Sequence, residues 1–376
     1  MTENDNGNKK LQVALICNSP FGADGISKFV LNNHNYFKRK NIQYHLLFSS
    51  THSSADIVTD YVHDFIKNGD KAKLIAKPNR LFLYIKEMYE YFRKENIDII
   101  HVHGSSSAIL LEMMVAKLAR VKKIISHSHN TRGNHPFIHK VLRPLVNWLS
   151  DEKLACGDLA GQWMYGVHDN FTIIPNCIDT EKYRFEESVR IDVRKKLNIN
   201  EGTLLLGHVG VFSRIKNQMF LIHLIESILQ KGRTDIKLLL VGDGKFKEQI
   251  RNYIVKNNLS DYVLILGNRN DVNLLMMAMD IFCLPSLYEG FPIVAVEAQA
   301  SGLPVLASTK ISPEVCITDL VNLLSIDNGG YPWLNAVENI SKYGRKREDY
   351  NTQIKDAGYD IQKSANFLED IYMGIS

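Results

Sequence analysis

Two glutamates eight residues apart, Glu289 and Glu297, bracket a stretch that is otherwise apolar, EGFPIVAVE. A carboxylate is rarely kept among aliphatic neighbours without a partner. An ionised carboxylate only accepts hydrogen bonds, and its paired oxygens suit the adjacent hydroxyls of a ribose or hexose. Gly290 and Phe291 lead into Pro292, a residue fitted to a first helical turn. The free backbone N–H groups at such a helix start suit a phosphate or a sugar oxygen. The plain alternative is that Glu297 pairs with a core Arg or Lys while Glu289 decorates a surface loop. Gly290, Pro292 and the following SGLPV weigh against it.

Cations and imidazoles stand at other turns. GHVGVFSRIKNQ (207–218) carries Arg214 and Lys216, and GNRNDV (267–272) carries Arg269. HSHNTRGNHPFIH (127–139) packs four histidines into thirteen positions, and eleven of the thirteen histidines of the chain precede residue 180. His127 and His129 would share one side of a strand, which raises the question of a metal. Zinc sites normally add carboxylate or cysteine ligands at consistent spacing, and none accompanies this run; no metal is expected. VGDG (241–244) is a glycine pair after a strand and speaks for the fold alone.

These residues need elements to position them. LQVALIC, YHLLF, DIIHVHG, KIISHSH, KLACG and FTIIPN read as short strands bounded by turn residues, separated by apolar residues at helical spacing in ISKFVLNNHNYFKRK, RLFLYIKEMYEYFRK, SAILLEMMVAKLAR and FIHKVLRPLVNWL. A second series follows: strands GTLLLGHVG, KLLLVGDG, YVLILG, DIFCLPS and LPVLAS around helices such as KNQMFLIHLIESILQKG and KFKEQIRNYIVKNNL. Alternation of this kind implies α/β architecture with parallel sheets and right-handed crossovers. Two Rossmann-like domains, divided near Asp179 to Arg184, would face each other across a cleft. Ligands of such sheets gather beyond the carboxyl ends of the strands, where all the turns named above fall.

Length agrees with two domains, because single cores stop growing near ~250–300 residues and this chain has 376. A net charge of +4 is too small to argue for nucleic acid. Residues 1–180 hold 22 Lys and Arg against 17 Asp and Glu, +5, while the remainder holds 23 against 24, −1. The basic first half would favour an anionic membrane surface or a phosphate-bearing substrate. The five cysteines are dispersed without C-x-x-C spacing and read as reduced core residues. No apolar run approaches a membrane span and MTENDNGNKK is unlike a signal peptide, so a cytoplasmic protein is expected.

The E-x7-E pattern after PSLYEGFP resembles the retaining glycosyltransferases of family 4, the group 1 glycosyltransferases with the two-domain GT-B fold, and its look is nearest to bacterial exopolysaccharide and capsule enzymes. The resemblance covers nearly the whole chain. It implies residues 1–180 as acceptor domain, 181–355 as nucleotide-sugar donor domain, and 356–376 as a helix crossing back to the first domain. It implies that Glu289 contacts donor-sugar hydroxyls, that Glu297 holds the nucleotide ribose, and that amides at Phe291, Ile293 and Val294, with Gly290 before them, line diphosphate and sugar. Lys216 matches the lysine of the family's diphosphate loop, whereas Val211 occupies the position of its arginine, leaving Arg214 as the substitute cation. The loop at Arg269 resembles the one that meets the base through backbone atoms. NSPFGADG resembles the glycine-rich first loop, with Gly25 admitting the donor phosphate and Asp24 where a glycine is usual. His129, with His127 second, fits the histidine that hydrogen-bonds the donor sugar; His101 and His103 flank the adjacent strand end.

The resemblance therefore implies transfer of a hexose or N-acetylhexosamine from a nucleotide diphosphate sugar, UDP-linked by expectation, to an acceptor hydroxyl, without metal or cofactor. The acceptor would be a saccharide, with a lipid-linked one and peripheral contact with the inner face of the plasma membrane as further expectations. Alternatives are a nucleotide-sugar epimerase or phosphorylase on the same fold, and a donor-binding partner subunit without catalysis. A nicotinamide dehydrogenase is disfavoured, because no G-x-G-x-x-G follows a strand.

Overall fold

In the computed structural model, residues 10–20, 25–49, 62–63, 65–67, 69–76, 79–133, 135–327, 330–343 and 347–375 are described, the side chains of Ser19, Pro20 and Tyr343 excepted. Asp24, the rest of the FGAD turn and nearly all of SSTHSSADIV lie outside them. The chain forms two compact units: Met1–Cys177 with Ile361–Ser376, and Ile178–Asp360.

The first unit is built on seven strands, β1 (Leu11–Pro20), β2 (Ile42–Ser49), β3 (Lys71–Leu74), β4 (Ile99–Gly104), β5 (Lys123–Ser128), β6 (Glu152–Ala155) and β7 (Thr172–Ile173). They pair in the order β3-β2-β1-β4-β5-β6-β7, all parallel. Strand alternation divides β1 between two cores. Ala14 and Ile16 pack with Tyr84, Met88 and Phe92, with Leu110, Met113 and Ala116, and with Val146, Leu149, Met164 and Tyr165. That face is thus covered by the helices Leu81–Lys94, Leu110–Leu118, Pro136–Leu149 and Asp158–Tyr165. Val13 and Leu15 face the other way, against Phe29 and Val30 of the helix Gly25–His34 and against Leu368, Ile371 and Tyr372 of the last helix, Ile361–Met373.

That last helix is fixed by polar chemistry as well as by area. The Glu369 carboxylate, buried, accepts from the Lys38 and Arg39 amides (2.9–3.2 Å) and from the Tyr44 hydroxyl (2.9 Å). Three donors for one carboxylate satisfy what burial would otherwise leave exposed to cost.

The second unit carries β8 (Leu204–Val209), β9 (Ile236–Val241), β10 (Val263–Gly267), β11 (Ile281–Leu284), β12 (Val305–Ser308) and β13 (Val321–Leu324), ordered β10-β9-β8-β11-β12-β13 and again parallel. In both sheets the order reverses beside the first strand, β1 or β8, and such a reversal leaves a crevice at the carboxyl ends of the two central strands. No disulfide joins the five cysteines; Cys17, Cys177 and Cys283 are buried, Cys156 is half-buried and Cys316 is exposed. Among the described residues no helix is long and apolar enough to cross a membrane.

Candidate functional site

In the second unit the crevice falls between the turns that follow β8 and β11. The first turn is held from both sides. The Gly210 and Phe212 amides donate to Val241 and Asp243 carbonyls (2.9 Å each), continuing the β8–β9 ladder beyond the strands. Gly242 (φ +135°) and Gly244 (φ +154°) make this approach possible: a Cβ on Gly242 would stand 2.1 Å from the Gly210 carbonyl oxygen, and one on Gly244 2.5 Å from that of Phe212. VGDG therefore shapes the site loop, a role its sequence did not announce.

The two turns are also tied to each other. The Leu287 amide donates to Ile215 O (2.8 Å), and Asn217 Nδ2 donates to Pro285 O (3.1 Å). Across this junction Lys216 Nζ meets Glu289 Oε2 at 2.6 Å, and the Ser286 hydroxyl donates to the other carboxylate oxygen. Both charges are largely shielded from water, which strengthens their pairing. The Gln218 amide reaches back to Val211 O (2.9 Å), anchoring the loop. Val211 itself turns outward, 61% exposed, and Arg214 is exposed as well; among the described residues Arg214 forms no hydrogen bond or ion pair.

Beyond Glu289 the chain passes Gly290, where a Cβ would meet nothing within 4 Å, and enters the helix Ile293–Ala300 with Pro292 as its N-cap. No side chain caps this start, so the turn of Phe291, Ile293 and Val294 opens its amides to a ligand. Glu297 is half-buried in that helix, and the Tyr183 hydroxyl donates to its carboxylate. Burial and then the Glu297 carboxylate push the Tyr183 phenol well above its ordinary range, so it stays a donor. A carboxylate accepts several hydrogen bonds at once, so hydroxyls of a ligand can join the phenol there.

Arg269 grips its neighbour Asp271 through Nε (2.8 Å) and Nη2 (2.6 Å), which raises the arginine and lowers the aspartate. With the guanidinium so engaged, backbone atoms are what the turn after β10 presents.

In the first unit β4 and β5 place four imidazoles on one sheet face. His101, His103, His127 and His129 form two hydrogen-bonded pairs, His101 Nε2 with His127 Nδ1 (3.2 Å) and His103 Nδ1 with His129 Nε2 (3.0 Å). The pairs stack with ring centroids 4.0 and 4.2 Å apart, edged by Phe29 and closed by a 2.7 Å bond from His101 Nδ1 to the Tyr372 hydroxyl. Burial disfavours the imidazolium form throughout: His101 and His129 fall to about 3, and His103 and His127 lie well below the ordinary value. Among the described residues His103 Nε2, His127 Nε2 and His129 Nδ1 find no hydrogen-bond partner although buried. The ligand nitrogens of His101, His103 and His127 lie within 4.8 Å of one another, close enough to consider a cation. Four of the ring nitrogens are, however, already engaged in the two His–His hydrogen bonds.

At the crevice of this unit a cleft of about 480 Å³ opens between Asn18, Ser105–Ser107, Asn130, Arg132 and the helix Pro136–Leu149. Gly25 begins the helix behind β1 with open space around it. Sequence reasoning passed over Glu112, which is fully buried, raised by that burial, and holds the Asn18 amide and the Tyr84 hydroxyl at 2.6 Å each. A glutamate inside the apolar run AILLEMMVA was the available signal, the same kind of signal that marked Glu297.

Residues 23–182 match the family described as Glycosyltransferase Family 4, and residues 189–358 match Glycosyl transferases group 1. The chain is 32% identical over 293 residues to the EpsF protein of Bacillus subtilis (strain 168), covering 74% of this chain and 76% of that one. It is 26% identical over 345 residues to the UDP-Gal:alpha-D-GlcNAc-diphosphoundecaprenol alpha-1,3-galactosyltransferase of Escherichia coli, covering 84% and 86%. Among solved structures, Anabaena HepE in complex with UDP superposes with a TM-score of 0.76 at 16% identity, over 97% of this chain and 100% of that one. The architecture is GT-B, and the chain belongs to the family 4, group 1 glycosyltransferases, enzymes that draw on nucleotide-sugar donors.

Proposed function

We propose that this protein transfers a hexose or N-acetylhexosamine from a UDP-linked donor to an acceptor hydroxyl, with retention at the anomeric carbon, in exopolysaccharide or capsule synthesis. The observation that carries the reading is the Lys216–Glu289 pair, 2.6 Å long, beside an uncapped helix start at the β8–β11 crevice. A bound diphosphate competes with Glu289 for the Lys216 ammonium. That exchange neutralises the leaving group and frees the Glu289 carboxylate for sugar hydroxyls. Gly290 leaves room for the sugar, amides at Phe291, Ile293 and Val294 receive diphosphate and sugar oxygens, and Glu297 with Tyr183 holds the ribose diol. Arg214 is the second cation of the loop in place of the arginine that Val211 displaces. The backbone at Arg269 takes the base edge, and Gly25 lets the chain approach the donor phosphate.

In the transfer step the anomeric carbon–oxygen bond to the diphosphate breaks, the acceptor oxygen bonds to that carbon from the same face, and the acceptor proton passes to the departing diphosphate. The electrostatic stabilisation of that anion is the largest contribution asked of the protein. Neither glutamate acts as nucleophile, metal is not required, and no cofactor beyond the co-substrate is used. His129, held neutral, hydrogen-bonds a sugar hydroxyl and carries no charge. The Escherichia coli relative, named for UDP-Gal and a diphosphoundecaprenol-linked acceptor, and the UDP in HepE support a UDP donor and a lipid-linked saccharide acceptor here.

The test incubates the protein with UDP-glucose, UDP-galactose and their N-acetyl counterparts, with saccharide and lipid-linked acceptors, with and without EDTA, and reads the anomeric configuration by NMR. The expected product keeps the donor configuration and forms equally with EDTA. An inverted product contradicts the mechanism. Conversion of the donor sugar without acceptor identifies an epimerase, and donor binding without turnover a partner subunit.

A further inference from the structure

The helix Pro136–Leu149 has the reverse of the usual surface pattern. Of its fourteen residues only His139, Val146 and Leu149 are buried. Phe137 (79% exposed), Val141, Leu145 and Trp148 (76%) stand in water, with Ile138 beside them. At about 100° per residue, Phe137, Val141, Pro144, Leu145 and Trp148 fall along one stripe. Single exposed apolar residues are ordinary, but a continuous stripe marks an interaction face. The neighbouring helix of the same layer, Leu110–Leu118, also exposes apolar side chains, Met114 and Leu118.

Charge tells what the face meets. The helix contains no Asp or Glu, and exposed Lys140 flanks the stripe, with exposed Arg132 just ahead of the helix. Residues 1–180 carry the whole positive excess of the chain. Phe and Trp on one side with a lysine alongside is the composition of a helix lying in the interface of an anionic bilayer. A protein partner would be expected to meet carboxylates as well. The same helix also walls the cleft, through Ile138, His139 and Leu142, opposite Asn18 and Ser105–Ser107.

We propose that the Pro136–Leu149 helix docks this protein on an anionic lipid surface, burying Phe137, Val141, Leu145 and Trp148 among the acyl chains, so that the cleft beside it opens at headgroup level. A saccharide acceptor whose lipid stays in the bilayer reaches the cleft without leaving the membrane. This use of the face rests on the transferase reading; the docking itself does not.

The experiment is co-sedimentation of the full chain with phosphatidylcholine vesicles and with vesicles that also contain phosphatidylglycerol, for the wild type and for the double variant Phe137→Glu with Trp148→Glu. UDP binding is measured calorimetrically on both. Wild type is expected to bind the anionic vesicles, and the double variant to partition at least about tenfold less, with UDP affinity unchanged. Lys140→Glu alone is expected to lower partition about fivefold. Equal vesicle binding by the double variant overturns the proposal, as does a wild type that binds UDP but no vesicle. Self-association of the wild type that the double variant abolishes, without vesicle binding, would give the face to a second copy and overturns it too. Absence of UDP binding with vesicle binding intact would sink the donor reading and leave the docking face standing.

Discussion

Glu297 resolves into a small network when its partner is known. Tyr183 donates to it from the short helix Thr180–Tyr183, so the carboxylate is supported before any ligand arrives. Lys216 is similarly engaged with Glu289, so in the proposed site a donor diphosphate would replace one partner with another. Lys216→Ala should lower the rate of transfer about 10²–10³-fold, with a smaller rise in KM, as steady-state kinetics would show; an unchanged kcat would remove Lys216 from the diphosphate site. Val211 suggests the opposite experiment. Its side chain is exposed on the loop where the family resemblance places arginine, so Val211→Arg can be accommodated and should tighten UDP about tenfold, near 1.4 kcal/mol. Calorimetry showing equal or weaker affinity would mean that position 211 faces away from the phosphates. Glu289, Glu297 and Lys216 stand out in the sequence because a charge in an apolar or glycine-rich setting needs a partner, and each has one. Tyr183 was not, because a tyrosine in a polar stretch carries no mark of a partner more than a hundred residues on.

At the scale of elements, the site depends on two turns being stitched to a sheet. Gly242 permits the Gly210 carbonyl to lie where a Cβ would be, so Gly242→Ala must move the turn after β8 or strain its own left-handed backbone. The expected cost is about 2–4 kcal/mol in denaturant unfolding, with a loss of UDP affinity; Gly232→Ala, also at positive φ but with open space around it, should cost less and leave UDP binding intact. Equal losses at both would show that backbone conformation, and not close approach, makes Gly242 matter. The central strands were readable as branched apolar runs. β3 and β13 were not: β3, KAKL, is an edge strand with mostly exposed residues, and β13, VNLL, is a short edge strand only half covered. An edge strand buries too little to force a pattern on its sequence. The helix Glu187–Lys196 was hidden in the same way, since charge and not apolar area fixes it: Arg190 and Arg194 clasp Asp280, which also accepts from the Leu205 amide at 2.7 Å.

For the whole molecule, the uneven distribution of buried histidines divides the two units. His45, His101, His103, His127 and His129 of the first unit are all held neutral by burial, against His208 alone in the second among the described residues. A histidine whose folded value is lowered binds its proton more readily when unfolded. Its contribution is complete above the unfolded value near 6.5 and fades as pH falls toward about 3 or 4. Each such histidine removes on the order of 1 kcal/mol per pH unit in that window. The first unit should therefore melt before the second as pH drops from 7 to 5, seen as a calorimetric transition that splits; a single transition falling evenly would contradict the assignment. None of this alters the donor side, on which the functional account stands. The most direct test is calorimetric titration of UDP, GDP and ADP into the wild type and Glu297→Gln, a change that keeps an acceptor for the Tyr183 hydroxyl. UDP is expected to bind the wild type in preference to GDP and ADP, and Glu297→Gln to weaken it about tenfold with no change in melting temperature. Equal UDP affinity in the two proteins, or no nucleotide bound by the wild type, would contradict it.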